Sequence, residues 1–207
     1  MPDQRPPTNR LFIAVTPPAA TIAFAARAIE GLERSGVAAR WTTPAQLHLT
    51  LAFLGDDVPD ARLAGIAAAV DAVAAAAAPF AVEFGGLGAF PDARRPRVIW
   101  LGVRQGADGL GDLQSALAAR LALLGFPPEE RGFHPHLTLG RIDRDRLARP
   151  SAIDLEPLLE RLDGLSAGAG RITQILLFAS VADGGRHRYD SLHAATLRGA
   201  AAGSTPR

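Results

Sequence analysis

The chain contains the tetrapeptide His-Leu-Thr-Leu twice, at residues 48–51 and 136–139, although it has only five histidines. With average residue usage, a second chance copy would occur in about one chain of this length in several hundred. In a strand, residues two apart share a face, so His48 and Thr50 would point one way and the leucines the other. The second copy would present His136 and Thr138 in the same manner. Each copy supplies an imidazole and a hydroxyl about 7 Å apart, which is half of an acid-base site.

Two histidines suit proton transfer during substitution at phosphorus. The pKa of a free imidazole is about 6.5, so one histidine can accept a proton from the nucleophile while another donates one to the leaving oxygen. In phosphoryl transfer the attacking and leaving atoms lie roughly in line, and acid and base are therefore needed on opposite sides. The threonine hydroxyls, with a nearby arginine, would bind the non-bridging oxygens. Because the two tetrapeptides are identical, their sequence does not distinguish donor from acceptor.

Other roles for the histidines stay open. A single histidine on a strand is more often structural than catalytic, but two identical motifs reverse that preference. His134 and His136 could instead hold a metal ion, although neither motif has an evident carboxylate beside it as a third ligand. We expect His134 to support the loop or the residues that bind substrate, and His187 and His193 to occupy surface or strand positions. The sequence therefore predicts no metal and no cofactor.

The composition excludes several reaction classes. The chain has 207 residues, of which 48% are hydrophobic, and it fits one domain or one two-lobed domain. It has no cysteine, which excludes thiol nucleophiles, disulfides and thiolate zinc sites. All 22 residues counted as lysine or arginine are arginine, which excludes a P-loop lysine and an adenylylated lysine.

The net charge of +1 is too small for a general nucleic-acid coat. Local arginine clusters leave room for a binding patch, although such runs are more often solvated surface. These clusters consist of Arg94, Arg95 and Arg97, and of Arg141, Arg144, Arg146 and Arg149. No run of 18 apolar residues is present, and the first residues lack the apolar core of a secretory signal. We therefore expect a cytoplasmic protein that does not enter a membrane.

Strand and helix patterns alternate between two tails, residues 1–9 and 199–207, which are predicted to be flexible. Residues 10–198 are predicted to form a single domain. The predicted strands lie at about 11–15, 47–54, 80–84, 97–103, 171–181 and 188–196, together with the second motif strand, and the predicted helices at about 16–35, 59–77, 109–125 and 154–162. About half of the ordered chain separates the two motifs. This spacing predicts a duplicated α+β unit with a pseudo-two-fold axis, in which the two motif strands face each other across a cleft.

With its motifs and their flanks, the chain resembles the 2H phosphoesterases, which are named for two His-x-Thr-x motifs. Within them it is similar to the bacterial and archaeal RNA 2′,3′-cyclic phosphodiesterases, also called 2′-5′ RNA ligases. The likeness extends from about residue 10 to residue 197, and it rests on residues 10–15, 48–55, 96–102, 135–141 and a C-terminal segment with Ser180 and Tyr189. The resemblance implies a bilobal α+β fold, in which two antiparallel sheets with outer helices surround a central cleft.

The resemblance also implies an activity, the metal-independent hydrolysis of a 2′,3′-cyclic phosphate to a 2′-phosphomonoester. The substrate would be an RNA end or a small cyclic nucleotide. His48 is implied as the proton donor to the departing 3′ oxygen, and His136 as the acceptor that activates water. Thr50 and Thr138 are implied as phosphate ligands.

Arg141 comes directly after the second motif and is a further candidate for phosphate contact, whereas the first motif is followed by Ala52 and Phe53. The resemblance implies that the reverse reaction would join a cyclic phosphate to a 5′ hydroxyl without ATP, which agrees with the missing lysine. In water, hydrolysis should prevail. The alternative is a non-catalytic module that binds phosphorylated RNA ends or nucleotides. We expect a monomer with no obligate protein partner.

Overall fold

The structure is a computed structural model. It describes residues 8–129, 132–142, 155–157, 159, 166–183 and 186–200. Within these ranges the chain forms three α-helices and nine β-strands, which agrees with the α+β class expected from the sequence. Among the helices of these ranges, none is both long enough and apolar enough to cross a membrane.

The strands are β1 (Thr8–Val15), β2 (Arg40–Trp41), β3 (Leu49–Pro59), β4 (Phe80–Phe90), β5 (Val98–Gln105), β6 (His136–Arg141), β7 (Ser166–Ile172), β8 (Gln174–Asp183) and β9 (Arg186–Thr196). The helices are α1 (Ala19–Arg34), α2 (Leu63–Ala76) and α3 (Ala107–Leu123). Short 3-10 turns occupy Pro44–Gln46 and Asp60–Arg62.

The strands form two antiparallel sheets. The first sheet has the order β3-β1-β8-β9, and the second has the order β2-β6-β5-β4-β7. In each sheet the motif strand pairs with an earlier strand, and one α-helix connects the two. The sequence of elements is β1-α1-β3 in the first sheet and β5-α3-β6 in the second. Apart from the two-residue β2, the two sheets therefore repeat one arrangement. The duplication predicted from the repeated tetrapeptide is confirmed.

The helices pack by their apolar faces. α2 packs against β8 and β9 of the first sheet, while α1 packs against β6 and β7 of the second sheet, and α3 contacts α2 and β3. The helix predicted at about 109–125 is present as α3, and its Leu110, Leu113, Leu117 and Leu121 are buried. Burial of a leucine stabilises a fold by about 1.5–3 kcal/mol, and these side chains join one continuous core with both sheets.

Several predicted boundaries were wrong. β1 begins at Thr8, so Thr8 and Asn9 belong to a strand and not to the N-terminal tail. α1 begins at Ala19 instead of Thr16, because a residue before proline avoids the helical conformation and Pro18 itself is extended. β3 does not end at Gly55; that residue adopts φ 126° and still pairs with Leu11.

The strands differ from the predictions at further points. The predicted strand at 171–181 is two strands, β7 and β8, which are separated at Thr173. The strand that starts at Phe80 continues past the predicted end to Phe90, because a bulge absorbs Gly85 and Gly86. β2 was not predicted, since two residues carry no periodicity. Most of the predicted helix at 154–162 lies outside the described residues, as do residues 1–7 and 201–207 of the two tails and Arg144, Arg146 and Arg149.

Candidate active site

The two motif strands show the predicted alternation of faces. Leu49 and Leu51 are at most 3% exposed, and Leu137 and Leu139 are fully buried. The histidines are partly buried, Thr50 is exposed and Thr138 is partly buried. β6 begins at its motif histidine, whereas β3 begins one residue after its own. Each motif thus presents its imidazole and hydroxyl on the front of its sheet and anchors its leucines in the core.

Both motif strands contain a β-bulge at the second leucine of the tetrapeptide. In the second sheet Thr138 lies opposite Trp100, but Gly140 lies opposite Ile99, so Leu139 is the extra residue. The first sheet has the same irregularity at Leu51. A bulge changes the two-residue alternation of the residues beyond it. The side chain five residues after each histidine therefore lies on the front face instead of behind the sheet.

That front-facing position is occupied by Arg141 in the second sheet and by Phe53 in the first. Arg141 lies opposite Val98 and is exposed. Phe53 lies opposite Phe12, is 40% exposed, and has the Arg10 guanidinium 4.8 Å from its ring centroid. The bulge is therefore the physical reason why the arginine that follows the second motif shares a surface with the histidine.

The same kind of hydrogen bond holds each catalytic candidate. The Nδ1–H of His48 donates to the carbonyl oxygen of Gln46 at 2.6 Å, and the Nδ1–H of His136 donates to that of His134 at 2.7 Å. A carbonyl oxygen can only accept, so the proton must reside on Nδ1 of each neutral ring. In both rings Nε2 is then the nitrogen that remains to exchange a proton with a substrate.

Aromatic rings surround both imidazoles. The ring of His48 lies 4.7 Å from Phe12 and 5.1 Å from Tyr189, between centroids. The ring of His136 lies 5.1 Å from Phe90 and 6.4 Å from Trp100. These contacts remove water from the imidazoles and limit their rotation.

The charges of the site connect the two sheets. Burial lowers the pKa of His48, the hydrogen bond to Gln46 raises it, and the charges of Arg141 and His136 lower it further. Burial also lowers the pKa of His136, against a raising hydrogen bond to His134, and the charges of His134 and Arg141 lower it. The charge of one guanidinium thus lowers the pKa of imidazoles from opposite sheets, and the two motif strands β3 and β6 are in contact, so the two motifs lie side by side.

The turn before His48 is itself held by hydrogen bonds. The Thr43 hydroxyl donates to the Gln46 side-chain oxygen at 2.9 Å, and the Thr43 amide donates to the same atom at 3.2 Å. The Gln46 amide group donates to the carbonyl of His187, and the imidazole of His187 contacts the Ser180 hydroxyl at 3.0 Å. The β8–β9 hairpin therefore fixes the carbonyl that orients His48.

The other predicted residues have separate positions. His187 and His193 both lie on β9, as expected of strand positions, and His193 contacts Asp71 of α2 at 2.7 Å. Arg94 forms an exposed ion pair with Glu156 at 3.4 Å. In the part of the chain that the structure describes, neither motif threonine has a hydrogen-bond partner for its hydroxyl, and no three histidine or acidic side chains gather to hold a metal.

Sequence reasoning missed the residues that orient and enclose the imidazoles. Gln46 had a local signal, because threonine followed three residues later by glutamine is the pattern of a capping box. Phe12 and Trp100 lie in segments that carried the family resemblance, but no pattern indicated their contact with the imidazoles, since that contact depends on which strand pairs with each motif.

Comparisons with known proteins agree with this geometry. A family model described as the 2′-5′ RNA ligase superfamily matches residues 6–183. The chain belongs to this superfamily, and the resemblance inferred from the two motifs is confirmed. A curated relative is the RNA 2′,3′-cyclic phosphodiesterase of Aquifex aeolicus, which is 34% identical over 68% of this chain and 72% of its own length.

Solved structures show the same fold. A crystal structure of the Thermus thermophilus protein TT0787 has a TM-score of 0.75 and 29% identity, and the match covers 92% of this chain and 98% of that one. A crystal structure of E. coli LigT complexed with 3′-AMP has a TM-score of 0.71 and 27% identity, over 92% and 99% of the two chains.

Proposed function

We propose that this protein hydrolyses the 2′,3′-cyclic phosphate at the end of an RNA, leaving a 2′-phosphomonoester and a free 3′ hydroxyl. One observation carries the proposal: two identically hydrogen-bonded imidazoles from opposite sheets lie within the field of one guanidinium. The activity named for the Aquifex aeolicus relative supports it. LigT, whose crystal structure contains 3′-AMP, supports a nucleotide as the ligand class.

Proton transfer follows from the hydrogen bonds of the two rings. His136 begins neutral and takes a proton from water through Nε2 while the water oxygen bonds to phosphorus. His48 begins protonated and gives its Nε2 proton to the 3′ oxygen as the bond from that oxygen to phosphorus breaks. The carbonyls of Gln46 and His134 hold Nδ1–H throughout, so each ring exchanges protons at one nitrogen only. The assignment of donor and acceptor rests on the motif resemblance.

The remaining groups bind the phosphoryl oxygens. Thr50 and Thr138 place a hydroxyl beside each imidazole on the front faces, and Arg141 adds a charge-assisted donor. Hydrogen bonds to oxygens that gain charge in the transition state lower the barrier, provided the donors are already in place. The strand pairing fixes the backbone positions from which these donors extend.

Ligation is a second reaction of the same site. A 5′ hydroxyl in the place of water would attack phosphorus, the 3′ oxygen would leave, and a 2′-5′ phosphodiester would form. No ATP is required, because the strained cyclic diester supplies the leaving group. The high concentration of water makes hydrolysis the prevailing outcome.

Product identification tests the function. We expect the purified protein, incubated with 2′,3′-cyclic AMP in EDTA, to give 2′-AMP only, with the isomers separated by chromatography. Formation of 3′-AMP would contradict the proposed leaving group. Binding of the nucleotide without turnover would instead identify a binding module, and loss of activity in EDTA with rescue by zinc or manganese would identify a metal-dependent reaction.

A further inference from the structure

Two arginines lie directly opposite each other beside the candidate site. Arg40 of β2 pairs with Arg141 of β6 in an antiparallel register, and both are exposed. Side chains opposed in this way have Cβ atoms about 4.5–5.5 Å apart, and like charges there are destabilising. Within the described ranges, neither guanidinium has a hydrogen bond or an ion pair with an acidic side chain. Among the described residues, the pair therefore concentrates positive charge without a neighbouring carboxylate to balance it.

The strand register places both arginines on the front of the second sheet. Arg141 lies opposite Val98, two residues from Trp100 on β5, and Trp100 is a neighbour of the His136 ring. Residues two apart on a strand share a face, and so do residues opposed across a ladder. Arg40, as the partner of Arg141, leaves the sheet on the same side. The bulge at Leu139 creates this arrangement, because without it Arg141 would point to the back.

The two guanidinium groups are not equivalent in position. β2 is the outermost strand of the second sheet, so Arg40 lies one strand farther from β5 than Arg141 does. Adjacent strands are about 4.7–4.9 Å apart, and a long arginine side chain extends the reach outward. The Arg141 charge lowers the pKa of both imidazoles, while Arg40, one strand farther out, extends the positive surface away from them.

We propose that Arg40 binds the RNA phosphodiester on the 5′ side of the terminal nucleotide, so that the protein prefers oligonucleotides to cyclic mononucleotides. This inference rests on the proposed function. A cyclic mononucleotide brings one negative phosphate, which Arg141 and the threonines can bind. An oligonucleotide brings a second phosphate, and its charge relieves the repulsion within the arginine pair. The small net charge of +1 fits a contact of this local kind.

The test compares substrates that differ only in the upstream phosphate. We would measure kcat/KM for 2′,3′-cyclic AMP, for the dinucleotide ApA with a 2′,3′-cyclic phosphate, and for that dinucleotide with a neutral methylphosphonate linkage. Arg40→Gln should lower kcat/KM for the charged dinucleotide about tenfold, as expected for loss of a hydrogen bond to a charged group. The same substitution should change kcat/KM for 2′,3′-cyclic AMP by less than twofold. With the methylphosphonate dinucleotide, kcat/KM of the wild-type protein should fall to the value that Arg40→Gln has with the charged dinucleotide.

Salt dependence and stability provide further readouts. For the charged dinucleotide, the slope of log kcat/KM against log salt should become shallower by about 0.7 in Arg40→Gln, because one phosphate contact to a single strand is lost. Without substrate, the melting temperature of Arg40→Gln should equal or exceed that of the wild-type protein, since a like-charge pair has been removed. Arg120→Gln is the matched control, because Arg120 is exposed in the last turn of α3, and it should change neither substrate's rate.

Equal losses on mononucleotide and dinucleotide would overturn the inference, because Arg40 would then act on the reacting phosphate or on the fold. Unchanged rates on all substrates would overturn it as well, since no phosphate contact would exist. Failure of the wild-type protein to hydrolyse any of the three substrates is a different result. It would reject the proposed function and, with it, a substrate role for Arg40.

Discussion

The two sheets carry the same tetrapeptide, the same bulge and the same Nδ1–H hydrogen bond to a carbonyl two residues earlier. They differ just beyond the motif, where the first sheet has Ala52 and Phe53 and the second has Gly140 and Arg141. The shared features orient an imidazole and fix its tautomer. The features that differ change the surface near each imidazole, from the Phe53 ring in the first sheet to the Arg141 guanidinium in the second. The comparison teaches that the duplicated fold repeats the orientation of the imidazole in both sheets and varies the neighbouring side chain, to which we assign phosphate binding in the second sheet only.

The turns before the histidines show the same division. The carbonyl of Gln46 belongs to a 3-10 turn held by Thr43 and by the β8–β9 hairpin. The carbonyl of His134 precedes Pro135, and the His134 ring packs 5.1 Å from Trp100. Two different local structures thus place a carbonyl acceptor two residues before each histidine. The position of the acceptor, and not the residue that provides it, is what both sheets have in common.

The sharpest way to break the comparison is to remove each imidazole. His48→Ala and His136→Ala should each lower kcat by at least about a hundredfold with folding intact, because each loses a proton-transfer group. Circular dichroism checks the fold, and His193→Ala, away from the motifs, is the control for loss of a histidine. A near-normal rate in either motif variant would contradict the paired roles.

A sulfur substrate then separates the two roles. In a 2′,3′-cyclic phosphate with sulfur as the 3′ bridging atom, the leaving thiolate needs no proton. His48→Ala should recover most of its lost rate on this substrate, whereas His136→Ala should not. The opposite pattern would exchange donor and acceptor between the sheets.

The difference at the position beyond the bulge predicts the next largest effect. Arg141→Gln should lower kcat/KM by roughly tenfold to a hundredfold, since a hydrogen bond to a charged group contributes about 1.5–3 kcal/mol. Arg141→Lys should recover part of the loss, because it keeps the charge but not the planar pair of donors. Unlike Arg40→Gln, Arg141→Gln should affect cyclic AMP and the dinucleotide alike. A loss confined to the dinucleotide would show that Arg141 binds outside the reacting phosphate.

Ala52 and Gly140, which directly precede Phe53 and Arg141, give a matched test of stability. A Cβ on Gly140 would lie 2.5 Å from the Trp41 indole, whereas Ala52 already carries one in the first sheet. Gly140→Ala should therefore reduce the free energy of unfolding by about 1–3 kcal/mol, as overpacking does. Ala52→Gly should cost only about 0.5–1 kcal/mol, from added chain entropy. Denaturant titration measures both, and equal costs would show that Trp41 does not distinguish the two strands.

The pH profile should show the smallest effect, a change of a few fold near neutrality. Both histidine pKa values lie below the ordinary value, mainly through burial. Catalysis needs one protonated and one neutral ring, so the bell-shaped profile of kcat/KM should have its maximum below about pH 6.5. An anionic phosphate between the rings raises both pKa values, so the maximum of kcat should lie at higher pH. A kcat/KM maximum above about pH 7 would contradict the lowered values.

The motifs were predictable because their information is local. Alternation of His48, Leu49, Thr50 and Leu51 over a short strand specifies which side chains are buried, and the second copy repeats it. The amphipathic α3 was predictable for the same reason. Strand boundaries that depend on pairing were not predictable. The bulges in β3 and β4 keep Gly55 and Gly86 inside strands. Strand β2 exists only because Arg40 and Trp41 pair with the edge of β6.

The sequence by itself determined two imidazoles with matching hydroxyls, a duplicated α+β fold and a chemistry without thiol or lysine. Tertiary structure alone decided that the Arg141 charge lowers the pKa of both imidazoles and that Arg40 lies opposite Arg141. The reason is physical. The period of a strand is written in neighbouring residues, whereas the bulge that turns Arg141 to the front and the edge that receives Arg40 depend on partners far away in the chain.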